Sequence, residues 1–254
     1  MGDVESNVFE SENRAVVYLD LLGFAALVEA NPRYFVTDPV DRATSACWPT
    51  NLAARRLSLF NQVLESNISS EQPNHAMVFS DCAFGVFYTP TACADFAVTL
   101  MQGFLRAKVP VRMGLGFGTF RTLGTTSTFR DASTVVRAMF GGTSIVRAVA
   151  AETCGGKGMR IFAHGSFSEV FDVTRIGERR RKLLPVPAQL GAVSCELEYV
   201  SETGPERVDD WVANIHEMAR SAPTEVQDHY SQTLAALSRM LGYDVDNIAR
   251  GFEE

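Results

Sequence analysis

The stretch AVVYLDLLGF at residues 15–24 decides the fold, because it passes from a strand to a helix within a few positions. Its apolar first part predicts a strand over 14–21, and a helix over 22–30 follows with Gly23 at the corner. Asp20 interrupts the apolar run, and a carboxylate in a buried strand is costly unless a positive charge compensates it. Asp20 is therefore the first candidate functional residue.

A second aspartate, Asp81, interrupts another strand-like run, MVFSDCAFGVFY at 77–88, near the turn of a predicted hairpin over 76–88. Two carboxylates on two strands are a natural site for Mg²⁺ or Mn²⁺, which prefer hard oxygen ligands. Each aspartate alone also has an ordinary explanation, Asp20 as a polar residue at a strand end and Asp81 as a turn residue. The pair favours a metal site.

The whole chain predicts an α+β domain with a helical extension. Residues 1–13 are predicted to be flexible, 14–205 to form the main domain, and 206–254 to form a C-terminal helical extension. The order of strands and helices is that of a ferredoxin-like, mostly antiparallel sheet flanked by helices. After the first strand and helix, the pattern predicts a loop or insertion over 31–50, helices over 51–68, 91–107, 142–153 and 166–172, strands over 109–120 and 159–163, a hairpin over 174–200, and helices over 207–220 and 225–241.

Three further patterns suggest contacts rather than chemistry. Gly114, Gly116 and Gly118 alternate in one strand, which indicates a ligand or another backbone close by. The run CGGKG at 154–158 lacks the rest of a P-loop and predicts a plain turn. The basic run RRRK at 179–182 is predicted near a hairpin tip, either as a solvated patch or as a clamp that reaches a partner's triphosphate.

Composition narrows the class of protein. The 254 residues carry a net charge of −7, which disfavours a nucleic-acid partner because sequence-independent binders are usually basic. No apolar stretch is long enough to span a membrane, and the acidic first residues lack the apolar core of a signal peptide. The five cysteines are scattered and the four histidines lack metal-ligand spacing. These features predict a reduced, cytoplasmic protein without a membrane partner.

Four stretches, in this order, resemble the motifs of class III nucleotide cyclases. YLDLLGF at 18–24 resembles their first strand with a metal-binding aspartate, and FSDCA at 79–83 resembles the hairpin that carries the second. VRMGLGFG at 111–118 resembles their Arg-x-Gly-x-x-x-Gly strand, and GTSIVRAVAAE at 142–152 resembles the following helix in position. The resemblance covers about 14–200 and leaves the C-terminal extension outside it.

The resemblance implies a catalytic domain with a metal centre. In that family the 3′-hydroxyl of a nucleoside triphosphate attacks its own α-phosphate, and pyrophosphate leaves. Asp20 and Asp81 would bridge two ions per site, Mn²⁺ or Mg²⁺, with the Leu21 carbonyl as an extra ligand. The family also implies a head-to-tail homodimer whose two sites each combine residues of both chains.

The same resemblance implies groups that hold the substrate phosphates. Arg112 would grip the triphosphate with its planar guanidinium. The backbone N–H groups at the predicted helix start would hold the β- and γ-phosphates. These N–H groups belong to Leu22, Gly23, Phe24 and Ala25.

The chain departs from the family where purine cyclases recognise the base and stabilise the transition state. Met77 and Met139 stand at the base-reading positions, and methionine donates no strong hydrogen bond to a purine edge. Val146 and Ala150 replace the usual Asn and Arg, which leaves Arg147 as the nearest cation and the candidate catalytic residue.

In these departures from the purine cyclases, the chain resembles the bacterial pyrimidine cyclases of Pycsar antiphage defence. That resemblance implies a uridylate cyclase that makes cyclic UMP from UTP as a signal for a separate effector, which the enzyme does not contact directly. Three alternatives stay open: a cytidylate cyclase, a purine (adenylate or guanylate) cyclase, and an inactive cyclase-like domain that binds a nucleotide or partner without turnover.

Overall fold

The computed structural model describes residues 12–30, 52–71, 73–130, 133–171, 181–200 and 203–245. These residues form one eight-stranded sheet flanked by helices. The strands are β1 (Glu12–Leu21), β2 (His75–Phe79), β3 (Cys82–Phe87), β4 (Val111–Arg130), β5 (Ser133–Gly141), β6 (Ile161–His164), β7 (Leu183–Leu190) and β8 (Val193–Leu197). The helices are α1 (Phe24–Ala30), α2 (Leu52–Glu71), α3 (Pro90–Ala107), α4 (Thr143–Glu152), α5 (Gly165–Ser168), α6 (Pro205–Arg220) and α7 (Gln227–Leu241).

The sheet confirms the predicted α+β class and its ferredoxin-like core. Its order is β2-β3-β1-β4-β6-β8-β7, with β5 paired to β4 beyond that path. The first four strands are antiparallel, and helices connect β1 to β2 and β3 to β4. Only β4 and β6 pair in parallel among the described strands. The sheet is therefore mostly antiparallel.

Alternation along β1 divides the side chains between two faces of the sheet. Val17, Leu19 and Leu21 belong to the large core that also contains residues of α2, α3, α6 and α7. Val16 lies in a second, smaller core with Ala148 of α4. Because successive side chains of a strand point to opposite faces, Asp20 lies on the same face as Val16, the face that α4 covers in part.

The three alternating glycines let α4 lie directly on β4. A Cβ atom at Gly114 would lie 2.1 Å from the Ala148 carbonyl oxygen, and one at Gly116 would lie 2.5 Å from the Ala148 nitrogen. The prediction of a close backbone is therefore confirmed, and that backbone belongs to a helix of the same chain.

Several boundaries differ from the sequence predictions. Strand β1 begins at residue 12, inside the segment predicted to be flexible, and β4 continues ten residues beyond its predicted end at 120 to pair with β5. The predicted loop over 31–50 lies outside the described residues.

The predicted place of the basic run 179–182 at a hairpin tip was wrong for its described part. The tip joins β7 to β8 at residues 191–192, whereas Arg181 and Lys182 precede β7. Arg181 is buried, and its Nε donates to Asp95 Oδ1 of α3 at 2.8 Å. Burial against α3 explains the difference, because an ion-paired arginine anchors the base of the hairpin rather than its exposed turn. Residues 179 and 180 lie outside the described residues.

The C-terminal helices pack on the same core as the sheet. Trp211 and Ile215 of α6 and Leu237 of α7 are fully buried in it. The run CGGKG at 154–158 forms a turn, as predicted, and this turn receives α7: the Gly158 N–H donates to His229 Nδ1 at 3.2 Å. None of the described helices is long and apolar enough to cross a membrane.

Candidate active site

Asp20 and Asp81 lie at the same end of the sheet. In the register, Asp20 pairs with Cys82 of β3 on one side and with Arg112 of β4 on the other. Asp81 occupies the β2–β3 turn directly before Cys82, and its carbonyl accepts a hydrogen bond from the Leu21 N–H at 2.9 Å. The structure therefore brings the two aspartates and the Leu21 backbone together, as the sequence predicted.

The electrostatics of this cluster suit a divalent cation. The pKa of Asp20 is raised to about 7, chiefly by burial and then by the nearby carboxylates of Glu152 and Asp81, while Arg112 opposes the rise. An added cation would offset the cost of holding these carboxylates together. The described residues contain no group of three or more His, Cys, Asp or Glu side chains arranged to hold a metal.

Arg112 is held in place by its own chain. Its Nε donates to Glu152 Oε1 of α4 at 2.6 Å, and its Nη1 donates to the Gly156 carbonyl at 2.6 Å. Glu152 is only 2% exposed, so the pair is a buried one. The guanidinium is thus fixed opposite Asp20, with two of its three nitrogens already bonded.

The corner between β1 and α1 contains the predicted phosphate-binding amides. Gly23 has a φ of 68°, the left-handed region that favours glycine, and this turn starts α1 at Phe24. The Leu22 N–H already donates to the Pro110 carbonyl at 2.8 Å. The prediction therefore rests on the remaining amides, those of Gly23, Phe24 and Ala25.

A neighbouring patch of aromatic side chains surrounds Met77. Met77 pairs with Phe84 in the register, and both pack in the smaller core with Tyr18 and Phe140. The rings of Phe84 and Phe140 lie 5.9 Å apart. Phe79, at the edge of this patch, is 43% exposed. We call these five side chains the aromatic face; Met139 lies beside it in β5 opposite Gly124, but its side chain lies outside the described set.

Arg147 lies far from the aspartates of its own chain. Its Nη1 donates to the Phe117 carbonyl at 2.8 Å. Phe117 is five positions along β4 from Arg112, which corresponds to ~17 Å. The structure therefore does not bring Arg147 to the aspartate pair within one chain. Val146 beside it points outward and is 69% exposed.

Sequence reasoning missed the role of Glu152. The buried residues of α4 are Ser144, Ala148, Ala151 and Glu152, a helical spacing that includes the glutamate. A carboxylate on a buried helical face needs a cation to compensate its charge, and the position of Glu152 on that face could be recognised from the helical spacing in the sequence. The sequence did not identify Arg112 as the partner of Glu152, because their pairing depends on α4 lying across β4.

Sequence reasoning also missed the contact between Gly23 and the C-terminal extension. A Cβ atom at Gly23 would lie 2.7 Å from Val226 Cγ1, in the turn before α7. The extension therefore supports the corner at which the phosphate-binding amides are predicted. No local sequence pattern predicts this contact, because it joins residues that are far apart in sequence.

Comparison with solved structures finds cyclase domains of low sequence identity. The guanylyl cyclase Cya2 is 12% identical over 77% of this chain and 96% of its own, with a TM-score of 0.44. An adenylate cyclase from Trypanosoma brucei is 12% identical over 80% of this chain and 96% of its own, with a TM-score of 0.49. The guanylate cyclase domain of RhGC from Catenaria anguillulae, solved with GTP, is 15% identical over 74% of this chain and 94% of its own, with a TM-score of 0.45.

No family model and no curated protein matches the sequence. At the identities and TM-scores of the solved structures, the similarity assigns neither an activity nor a ligand to this chain.

Proposed function

We propose that this chain is a nucleotide cyclase that converts a nucleoside triphosphate into a 3′,5′-cyclic monophosphate and pyrophosphate. One observation carries the proposal: Asp20 and Asp81 meet at the end of the sheet, beside the Gly23 corner and opposite Arg112. This arrangement combines oxygen donors for divalent cations with backbone amides and a guanidinium for phosphates.

In this proposal, the aspartate pair and the Leu21 carbonyl hold Mn²⁺ or Mg²⁺. Such ions, when bound, polarise the attacking hydroxyl and neutralise charge on the leaving oxygen. The amides of Gly23, Phe24 and Ala25 orient the terminal phosphates. The 3′-oxygen would then bond to the α-phosphorus as its proton passes to water, and the bond between the α-phosphorus and the bridging oxygen would break, so that pyrophosphate leaves with that oxygen.

Arg112 has a positioning part in this scheme. Glu152 and the Gly156 carbonyl fix its guanidinium opposite Asp20, so its charge is oriented before substrate binds. A cation fixed in this way needs no reorganisation when negative charge develops nearby. The contact with the triphosphate falls to the remaining nitrogen, Nη2.

We further propose that the substrate is a pyrimidine triphosphate and that UTP is preferred over CTP. The support is the aromatic face: Met77 lies among Phe84, Phe140 and Tyr18, so this region is bulky and apolar rather than polar. A smaller base leaves space that such side chains fill, and they would exclude a purine by shape. Cyclic UMP as an antiphage signal that a separate effector detects remains a prediction of the sequence resemblance.

A homodimer with composite sites completes the proposal. Arg147 bonds the Phe117 carbonyl, which lies ~17 Å along β4 from Arg112, the strand position opposite Asp20, so within one chain Arg147 is directed away from the aspartates. A head-to-tail partner would supply it from the second chain. Phe79 of the partly buried aromatic face and Val146 are exposed apolar side chains that such a partner would cover.

Incubation of the protein with each of the four NTPs and Mn²⁺ tests the function, with products identified by mass spectrometry. We expect cyclic UMP and pyrophosphate, and no product from Asp81→Asn. Asp210→Asn, which removes a charge from an exposed position of α6, is the matched control and should retain activity. Cyclic AMP or cyclic GMP as the main product would overturn the pyrimidine assignment alone.

A second candidate function is nucleotide binding without turnover. The observation that favours it is the bonding of Arg112 and Arg147 to groups of their own chain, which reduces the cations available to a transition state. Equilibrium dialysis separates the two: binding of UTP with Mn²⁺ in the absence of any pyrophosphate release would favour this second function.

A further inference from the structure

A cleft open to solvent lies where α2, α3 and α6 meet. Its volume is about 400 Å³ when the space open to solvent is counted. Among the described residues of its lining, Arg55, Arg56 and Lys108 contribute three positive charges and Glu217 contributes one negative charge, a net charge of +2. The whole chain carries −7, so this cleft is a cationic site on an acidic protein.

Arg56 is a buried cation without a counter-ion. It is only 3% exposed, and its Nη2 donates to Ser221 Oγ at 3.3 Å. Its Nη1 is buried without a hydrogen-bond partner, and no ion pair joins it to a carboxylate among the described residues. Burying a charge in this way costs free energy unless a partner compensates it.

The neighbouring groups do not supply that partner. Glu217, the one carboxylate among the lining residues that the structure describes, accepts a hydrogen bond from Lys108 Nζ at 2.5 Å. The hydroxyl of Tyr230 lies within hydrogen-bonding distance of Arg56, but burial raises the pKa of this tyrosine, so the hydroxyl is neutral and offsets no charge. The site therefore has donors and positive charge in excess of its own acceptors.

We propose that this cleft binds a small phosphate-bearing molecule. The Arg56 guanidinium, which lines the cleft and already donates to Ser221 Oγ through Nη2, would attract the phosphate by its charge and bond one of its oxygens, and Arg55 and Lys108 would add charge from the rim. A phosphate monoester carries −1.5 to −2 near neutral pH, about the net charge of opposite sign that the lining presents. Leu59 and Met218 in the lining provide apolar contact for the organic part.

This site is separate from the candidate active site. The helices α2, α3 and α6 pack on the face of the sheet opposite to the one that carries Asp20. One chain segment connects the two: Ser221, which bonds Arg56, begins the turn that ends at Val226, and Val226 contacts Gly23. Binding in the cleft is independent of whether the aspartates catalyse cyclisation.

The test measures binding of inorganic phosphate to the full chain, by calorimetry and by the shift in Tm. We expect saturable binding and a rise in Tm that acetate at equal ionic strength does not give. Arg56→Met should abolish the shift in Tm. Lys108→Met, at the half-exposed rim, should weaken phosphate binding about tenfold, the loss expected for one charge-assisted hydrogen bond.

Two controls assign the binding to this cleft. Arg106→Met removes an exposed cation of α3 that does not line the cleft and should leave phosphate binding unchanged. Arg112→Met removes the cation of the candidate active site and should also leave the phosphate-dependent shift intact. The proposal would be overturned if phosphate did not change the Tm of the wild type, or if Lys108→Met bound phosphate as tightly as the wild type. If Arg56→Met does not fold, the Lys108→Met variant alone tests the cleft.

Discussion

At the scale of single residues, the site is a balance of three carboxylates against one guanidinium. Glu152 and Asp81 each repel the charge of Asp20, and Arg112 compensates only part of this repulsion. The sequence predicted Asp20 and Asp81, because charges in apolar strands stand out, and the resemblance to class III cyclases added Arg112. It did not predict that Arg112 pairs with Glu152, since that contact depends on the packing of α4.

Removing Arg112 should destabilise the fold. Arg112→Met leaves Glu152 buried without its partner, and breaking a buried pair from one side costs about 3–5 kcal/mol. Lys157→Met breaks an exposed pair with Asp228 and should leave the free energy of unfolding nearly unchanged. Urea denaturation of the two variants measures the difference. Equal losses in both would contradict the buried role of Glu152.

Asp20→Asn should stabilise the metal-free protein while reducing activity. The folded-state pKa of Asp20 lies near 7, above its ordinary value of 3.8, so the ionised form opposes folding. This free-energy penalty is absent below pH 3.8, grows as the pH rises between the two pKa values of 3.8 and about 7, and reaches its full size above pH 7. With EDTA present, the gain in Tm of Asp20→Asn over the wild type should therefore be larger at pH 8 than at pH 4. A gain that shrinks with rising pH would refute the buried carboxylate.

At the scale of elements, the contact between β4 and α4 positions Glu152 over the sheet. The alternating glycines of β4 indicated a close backbone, and the structure confirms this indication. The sequence did not identify which part of the chain lies against these glycines, because a glycine leaves space for a neighbour without specifying what that neighbour is. The extension of β4 beyond 120 was also missed, since the pairing partner β5, rather than a hydrophobic pattern, holds this part as a strand.

Gly114→Ala should disrupt this contact. Its Cβ would lie 2.1 Å from the Ala148 carbonyl oxygen, so α4 must shift, and overpacking of this kind costs about 1–3 kcal/mol or more. Gly141→Ala is the matched control, because its Cβ would meet nothing within 4 Å. Thermal unfolding should show a lower Tm for Gly114→Ala alone. A Tm equal to that of the control would argue against the close contact.

At the scale of the whole molecule, the chain joins a ferredoxin-like sheet to two C-terminal helices that share its core. The sequence predicted the sheet class and both helices, because their periodicities are local. It did not predict that the turn before α7 contacts Gly23, a contact between the two ends of the described chain. Assembly is likewise outside the reach of local pattern, and the proposed homodimer depends on a catalytic role for Arg147.

A mixing experiment tests the composite site. Asp20→Asn and Arg147→Ala should each be inactive alone, whereas a mixture of the two chains should recover about a quarter of wild-type activity. Half of the randomly paired dimers are mixed, and each of these has one intact site of two. No recovery, although mixed dimers are demonstrated by mass spectrometry, would contradict a shared site that uses Arg147.

The central claim is that the aspartate pair supports cyclisation of a nucleoside triphosphate. The most direct measurement is pyrophosphate and cyclic nucleotide release from each of the four NTPs with Mn²⁺, by wild type and by Asp81→Asn. We predict stoichiometric cyclic nucleotide and pyrophosphate, greatest with UTP, and a loss in Asp81→Asn greater than the 10–100-fold typical of residues that only support metal ligands. Wild-type protein that binds NTPs but releases no pyrophosphate, or equal activity in Asp81→Asn, would contradict the claim.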